Sequence, residues 1–272
     1  MIGPARGRGR GPGGLVSREG ALPPLIARGF EALYGRHVVS EALRGRRELR
    51  RLFLADGVKE DERVLAIIAA ANALDISIER VPRPLLDDLT RGANHQSVVV
   101  EASNYPYVQI EDLIEPEGTV LVLDHLQDPQ NFGTLLRAGD AAGIAGVVIP
   151  QNRAVGVTPA VVNASAGAVE HLKVALVPNL VRAIQSLKRG GRWATALDAG
   201  DDAVELFSAN IPTPVILVVG GEGEGVSQLV RATCDVVVSL PMRGHVDSLN
   251  ASTAGAIALY EIVRREMGEL TP

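Results

Sequence analysis

Hydrophobic and polar positions follow two rhythms along this chain. Val38 to Leu43 and Val64 to Leu74 place apolar residues at helical spacing, while Leu52 to Leu54, Ile76 to Ile78 and Ser97 to Val100 are short strand-like runs. Together they predict a small α/β unit over residues 31–103. Residues 104–117 are polar and carry Pro106 and Pro116, the pattern of a linker. From 118 onward the alternation is regular. Val120 to Leu123, Val147 to Ile149, Leu172 to Val177, Trp193 to Leu197, Val215 to Val219 and Val236 to Leu240 read as strands, with helical segments between them. One helix is predicted over Asn131 to Ala142, and another starts at Thr158-Pro159, a cap residue followed by a first-turn proline. The last segment, Asn250 to Met267, is a long amphipathic helix. Strands alternating with helices predict an α/β fold, with a parallel sheet covered on both faces over residues 118–272. The expectation is two domains without tandem repeats.

Composition sharpens this picture. Of 272 residues, 46% are apolar and only 3% aromatic, so the core must be built from Val, Leu, Ile and Ala. The first 30 residues alternate Gly and Arg and include Pro23-Pro24, which predicts a disordered tail. Charge is uneven: +7 over residues 1–51, −7 over 52–116 and −5 over 117–272. Basic density near the N-terminus suits a polyanion, whereas Arg44 to Arg51 also reads as a solvated surface helix. The single cysteine, Cys234, excludes a disulfide framework or a multi-cysteine zinc site. The histidines 37, 95, 125, 171 and 245 lack metal-ligand spacing. No apolar run has membrane-span length and the N-terminus lacks a signal-like apolar core, so a cytoplasmic location is expected.

Ligands of open parallel sheets bind beyond the carboxyl ends of the strands, and three unusual loops sit at such ends. Asp128 to Arg137 (DPQNFGTLLR) offers Asn131 as a helix cap and Gly133 as a point of close approach. Arg137 lies about 600° around the helix from Asn131, on another face. Gly220 to Gly225 (GGEGEG) lacks the Gly-Lys-Ser/Thr ending of a phosphate loop, and Glu222 and Glu224 would repel pyrophosphate. It is either a tight turn or a backbone approach to an uncharged or cationic ligand. Leu240 to Ser252 (LPMRGHVDSLNAS) places Ser248, Asn250 and Ser252 before the final helix, where helix capping is one explanation. His245, Asp247 and Ser248 lie too close together for a hydrolase triad assembled from separate loops.

Taken in order, the three loops resemble the signature motifs of the SpoU (TrmH) group of RNA ribose 2′-O-methyltransferases in the SPOUT superfamily. The resemblance runs through Asn131, Gly133 and Arg137, then GGEGEG, then LPM, SLN and Ser252. YGRHVVSEAL at 34–43 and NHQSVVVEAS at 94–103 resemble the small L30e-type domain of the bacterial 23S rRNA guanosine 2′-O-methyltransferase subgroup, so the likeness spans about residues 33–267. Thr134 and Ala251 depart conservatively from the usual pattern.

The resemblance implies a C-terminal trefoil knot, which general topology would not suggest, and a homodimer with the final helix in its interface. It implies S-adenosylmethionine as cofactor, with contacts at Gly220, Leu240 and Leu249 and weaker ones at Thr195 and Met242. It also implies catalytic positions at Arg137, Asn131, Glu222, Ser248 and Asn250. Arg137 would activate the ribose hydroxyl or grip the neighbouring phosphate, the latter suiting a guanidinium that does not deprotonate. Ser248 and Asn250 would orient the ribose, and Glu222 would fix Arg137 or its own loop. RNA is the implied partner, no metal is required, and a guanosine of 23S rRNA is the leading target. A tRNA guanosine or a noncatalytic ribosome-assembly role are the alternatives.

Overall fold

The valine run of 98–100 is fully buried, as expected of a strand packed on both faces. In the computed structural model, which describes residues 26–115, 117–223 and 225–269, it forms the interior of a four-stranded sheet. The elements here are β1 (Phe30–Tyr34), α1 (Arg36–Ala42), β2 (Leu49–Ala55), α2 (Glu62–Ala73), β3 (Ser77–Val81), α3 (Arg83–Leu89) and β4 (Val98–Ser103). The strand order is β1-β4-β2-β3, with β4 antiparallel to both neighbours and β2 parallel to β3.

Two expectations for this region change. The tail expected over 1–30 gives way to order by residue 26: Ile26 packs on an apolar cluster, the Ala27 amide donates to Glu101 Oε1 at 2.6 Å, and Phe30 opens β1. The rest of that tail, residues 1–25, lies outside the described residues. Arg44 to Arg51 is a turn entering β2 rather than a surface helix. The Arg47 side chain is fully buried, pairing with Glu31 and, at 3.0 Å, with Glu170 Oε2. Arg50 stacks on Phe30, and Arg51 Nε donates to Glu101 Oε2 at 2.7 Å. The segment expected as a linker is packed over its described residues up to 115. Tyr105 and Leu113 are buried, Ile110–Leu113 is a 3₁₀ turn, and Tyr105 OH donates to the Leu172 carbonyl at 2.6 Å.

The second sheet comprises β5 (Val120–Asp124), β6 (Gly146–Pro150), β7 (Val174–Val177), β8 (Trp193–Leu197), β9 (Val204–Glu205), β10 (Val215–Gly220) and β11 (Val236–Ser239). Between and after these strands run α4 (Pro129–Ala141), α5 (Pro159–Ala164), α6 (Leu180–Arg189), α7 (Gln228–Arg231) and α8 (Ala251–Glu269). The order is β7-β6-β5-β10-β8-β11-β9, parallel throughout. Predicted strands and helices recur here with ends moved by a few residues. β5 and β10 are buried along their whole length, and alternation divides their side chains between two cores. Leu121, Leu123, Leu217 and Val219 join α4, α5, α8 and the first sheet in one cluster. Val120, Val122, Ile216 and Val218 face Ile184 and Leu187 of α6 and Val230 of α7. The chain runs outward from β5 through β6 to β7, then crosses back to β8. The β5–β10 boundary is therefore the topological switch point where a crevice opens.

Candidate active site

At that boundary, register pairs Asp124 with Gly220 at the carboxyl ends of β5 and β10. Asp128, rather than Asn131, caps α4: its Oδ2 accepts from the Asn131 amide at 3.0 Å, and Pro129 occupies the first turn. The Asn131 side chain is thereby released for other contacts. Its Nδ2 donates to Glu222 Oε1. Asn250 Nδ2 donates to Asn131 Oδ1 at 2.9 Å and to Glu222 Oε1 at 2.8 Å. The Ser252 hydroxyl lies 2.6 Å from Asn250 Oδ1 and 3.1 Å from Asn131 Oδ1, its one proton serving one acceptor at a time. Asn250 also caps α8, its Oδ1 accepting from the Ser252 and Thr253 amides at 2.9 and 3.3 Å. Residues from all three loops thus form one polar cluster.

Beside it lies a cavity of about 500 Å³, walled by Gly220, Leu240, Met242, Leu249 and Ser248, with Leu197, Asp198, Val219, Ser239 and Asp247. Apolar walls with carboxylates at the margin suit a flat apolar ring and an uncharged or cationic group. Gly220 permits the glycine loop to fold back, since a Cβ there would overlap the Gly225 carbonyl carbon. The turn closes on itself, as the tight-turn reading expects, and its described residues also line the cavity. Glu224 lies outside the described residues.

The predicted site residues divide. Asn131, Glu222 and Asn250 come together, and Gly220, Leu240, Leu249, Met242 and Ser248 line the cavity. Thr195 does not: it is fully buried inside β8, and Leu197 to Ala199 at the end of that strand line the cavity instead. Two residues along a strand span about 6.6 Å, enough to withdraw Thr195 from the crevice. Arg137 is exposed on the outer face of α4 and lines neither this cavity nor its neighbour. Glu222 does not hold it, being taken by the two asparagine amides. Sequence reasoning omitted Ser252 as a site residue, although its motif was noted, and it missed Asp124, whose Oδ2 accepts from the Ser227 amide at 2.8 Å. A carboxylate ending an otherwise apolar strand was the available signal. Among the described residues, no group of three or more His, Cys, Asp or Glu side chains is placed to hold a metal ion, and no helix is long and apolar enough to cross a membrane.

Comparison with known proteins places this geometry. The family model for the SpoU rRNA methylase family matches residues 118–260, and that for RNA 2′-O ribose methyltransferase substrate binding matches residues 32–108. A Bacillus subtilis protein named as a TrmH family tRNA/rRNA methyltransferase is 39% identical, over 85% of this chain and 94% of its own. An uncharacterized tRNA/rRNA methyltransferase of Synechocystis is 38% identical over 90% of this chain, which spans 66% of that relative's length. The crystal structure of an AdoMet-bound rRNA methyltransferase from Sinorhizobium meliloti superposes with a TM-score of 0.74 at 25% identity, covering 88% of each chain. With three motif loops converging on one crevice and the family model matching the whole second sheet, the chain belongs to the SpoU family of RNA methyltransferases.

Proposed function

We propose that this protein transfers a methyl group from S-adenosylmethionine to the ribose 2′-hydroxyl of a guanosine in 23S rRNA. The observation that carries the reading is the Asn131–Glu222–Asn250–Ser252 cluster at the edge of the glycine-walled cavity. The cavity residues fit the cofactor: Leu240, Leu249 and Met242 offer apolar contact to an adenine, while Asp198, Asp247 and Glu222 suit a cationic ligand. Bound there, S-adenosylmethionine supplies an electrophilic methyl on a sulfonium. The chain's own residues provide alignment. Asn131 and Asn250 are locked to Glu222 and Ser252, so the polar edge is preorganised rather than reorganised during reaction. Ser248 on the cavity wall would orient the ribose.

The proposal includes an L30e-like substrate-binding domain over 31–103, joined through 104–117 to the methyltransferase domain over 118–272. It also includes a C-terminal trefoil knot, supported by α8, which follows β11 near one edge of the sheet and packs back on α4 and β10. A homodimer is proposed as well, through the α8 face on which Tyr260 and Ile257 stand exposed. Arg137, exposed and outside the lining of its own chain's cavity, would then act across the dimer. Transfer of tritiated methyl groups to undermethylated 23S rRNA and to bulk tRNA, with nucleoside analysis, tests the reading. 2′-O-methylguanosine in 23S rRNA is expected. Label in tRNA alone would replace the substrate, and no label with retained RNA binding would favour the assembly-factor role.

A further inference from the structure

The walls of the cofactor-type cavity are unequally anchored. Gly220 ends β10, which is buried along its length inside the sheet. Leu197, Asp198 and Ala199 instead stand where β8 gives way to the loop 198–203. That loop leads into β9, a two-residue strand at the sheet edge with both residues exposed. So short an edge ladder fixes little backbone by itself.

Arg231, in the last turn of α7, supplies a second anchor. Its Nη1 donates to Asp202 Oδ2 at 2.8 Å and its Nη2 to Asp202 Oδ1, while its Nε lies 3.4 Å from Asp198 Oδ2. Both carboxylates belong to the loop after β8. Asp198 lines the cavity at the inner end of that loop, and Asp202 stands exposed at the outer end. Asp198 Oδ1 also accepts from the Ala199 amide at 3.0 Å, and a Cβ on Gly225 would stand 2.7 Å from it. The wall loop is thus seated against the end of the glycine loop. α7 is in turn fixed to the centre of the sheet, because the Ser227 amide at its start donates to the buried Asp124 of β5. A line of contacts therefore runs from β5 through α7 and Arg231 to Asp198, although Arg231 itself does not line the cavity. A guanidinium fork can hold both oxygens of one carboxylate and still face a second, which an ammonium cannot do in one fixed geometry.

We propose that Arg231 is a positioning residue for the cofactor, latching the loop after β8 against the cavity so that Asp198 is in place for a cationic ligand. The proposal rests on the methyltransferase reading above and concerns the binding of S-adenosylmethionine, not of RNA. A wall ordered in advance lowers the ordering cost that binding must meet. Without Arg231, residues 198–203 would have to be ordered each time the cofactor enters.

The test compares wild type, R231A, R231K and D202N as full-length proteins, by calorimetric titration with S-adenosylmethionine and by methyl transfer. Exposed ion pairs contribute little to stability, so each variant should melt within about 4 °C of wild type. R231A should bind the cofactor about tenfold more weakly, and its KM for the cofactor should rise in step. Its kcat at saturating cofactor and its RNA affinity should stay within about twofold of wild type. R231K and D202N should each weaken cofactor binding by a smaller factor. Adding D202N to R231A should weaken it no further, since the two side chains act through one contact. Unchanged cofactor affinity in R231A, or an equal loss of RNA affinity, would overturn the latch. If R231A melts far below wild type, R231K and D202N decide: unchanged cofactor affinity in both overturns the latch, and weaker affinity in both supports it. Were wild type itself to bind no S-adenosylmethionine, the cofactor reading would fail, and the latch for that cofactor with it.

Discussion

Asn250 Nδ2 donates to Asn131 Oδ1 at 2.9 Å, joining residues 119 positions apart. The bond links the first turn of α4 to the start of α8, and both side chains converge on Glu222 Oε1. Two helix starts and one glycine loop are thereby held in a single geometry.

Asn131→Ala removes the central member of this cluster. Loss of a preorganised polar group at a reacting centre costs about 10²-fold in kcat, so single-turnover methyl transfer should fall by that order. Calorimetric binding of S-adenosylmethionine should change little, because the cofactor-type cavity does not include Asn131. Combined with Asn250→Ala, the loss should be less than the product of the two single losses, as expected for residues in one network.

Arg137→Ala should abolish methylation while leaving the melting temperature and cofactor binding near wild type, since the side chain is exposed and outside the cavity. Mixing this variant with Asn131→Ala distinguishes two arrangements. If Arg137 serves the partner's site, mixed dimers contain one intact site and activity returns. If it serves its own site, the mixture shows no more than the residual activity of Asn131→Ala.

Gly133 lets α5 press against α4, and a Cβ there would stand 2.7 Å from the Ala164 carbonyl carbon. Overpacking of this kind costs about 1–3 kcal/mol. Gly133→Ala should lower the denaturant midpoint accordingly, whereas Gly143→Ala, with open space around it but φ of 69°, tests backbone strain alone.

Glu261 accepts from Arg264 Nε and Arg265 Nε, both at 2.8 Å, and Arg265 also donates to the Leu206 carbonyl at 2.7 Å. The Arg264 hydrogen bond, opposed by desolvation and aided by Arg265, lowers the carboxyl from 4.5 to about 2. A carboxyl depressed on folding stabilises the native state above its unfolded value and loses that contribution as pH falls. Between pH 4.5 and about 2 the wild type should lose stability relative to Glu261→Gln, and thermal melts of both across that interval measure the difference.

The site was legible wherever one loop carried its own signal. Asn131, Gly133 and Asn250 stand at helix starts after apolar strands, which placed them at the carboxyl edge of a parallel sheet, while their roles in a site came from the resemblance to the SpoU group. Thr195 was misplaced because a strand's end cannot be read to within two residues from an apolar run. Arg47 was misread because RGRRELRR shows charge and not burial. Only packing against Glu31 and Glu170 turns that arginine inward. β1 passed unrecognised because FEALY lacks clean alternation, and its strand state comes from pairing with β4 some 69 residues away by register.

By itself the sequence determined the α/β class, the order of most strands and helices, and three unusual loops at strand ends, because periodicity, capping residues and glycines act over a few neighbouring positions. The tertiary structure alone decided which side chains meet. It gave the cap of α4 to Asp128 and so freed Asn131, and it turned Glu222 toward two asparagines instead of Arg137. Those outcomes depend on crossings between β5, β10 and α8, and contacts between distant segments are set by how layers pack, which no local pattern encodes.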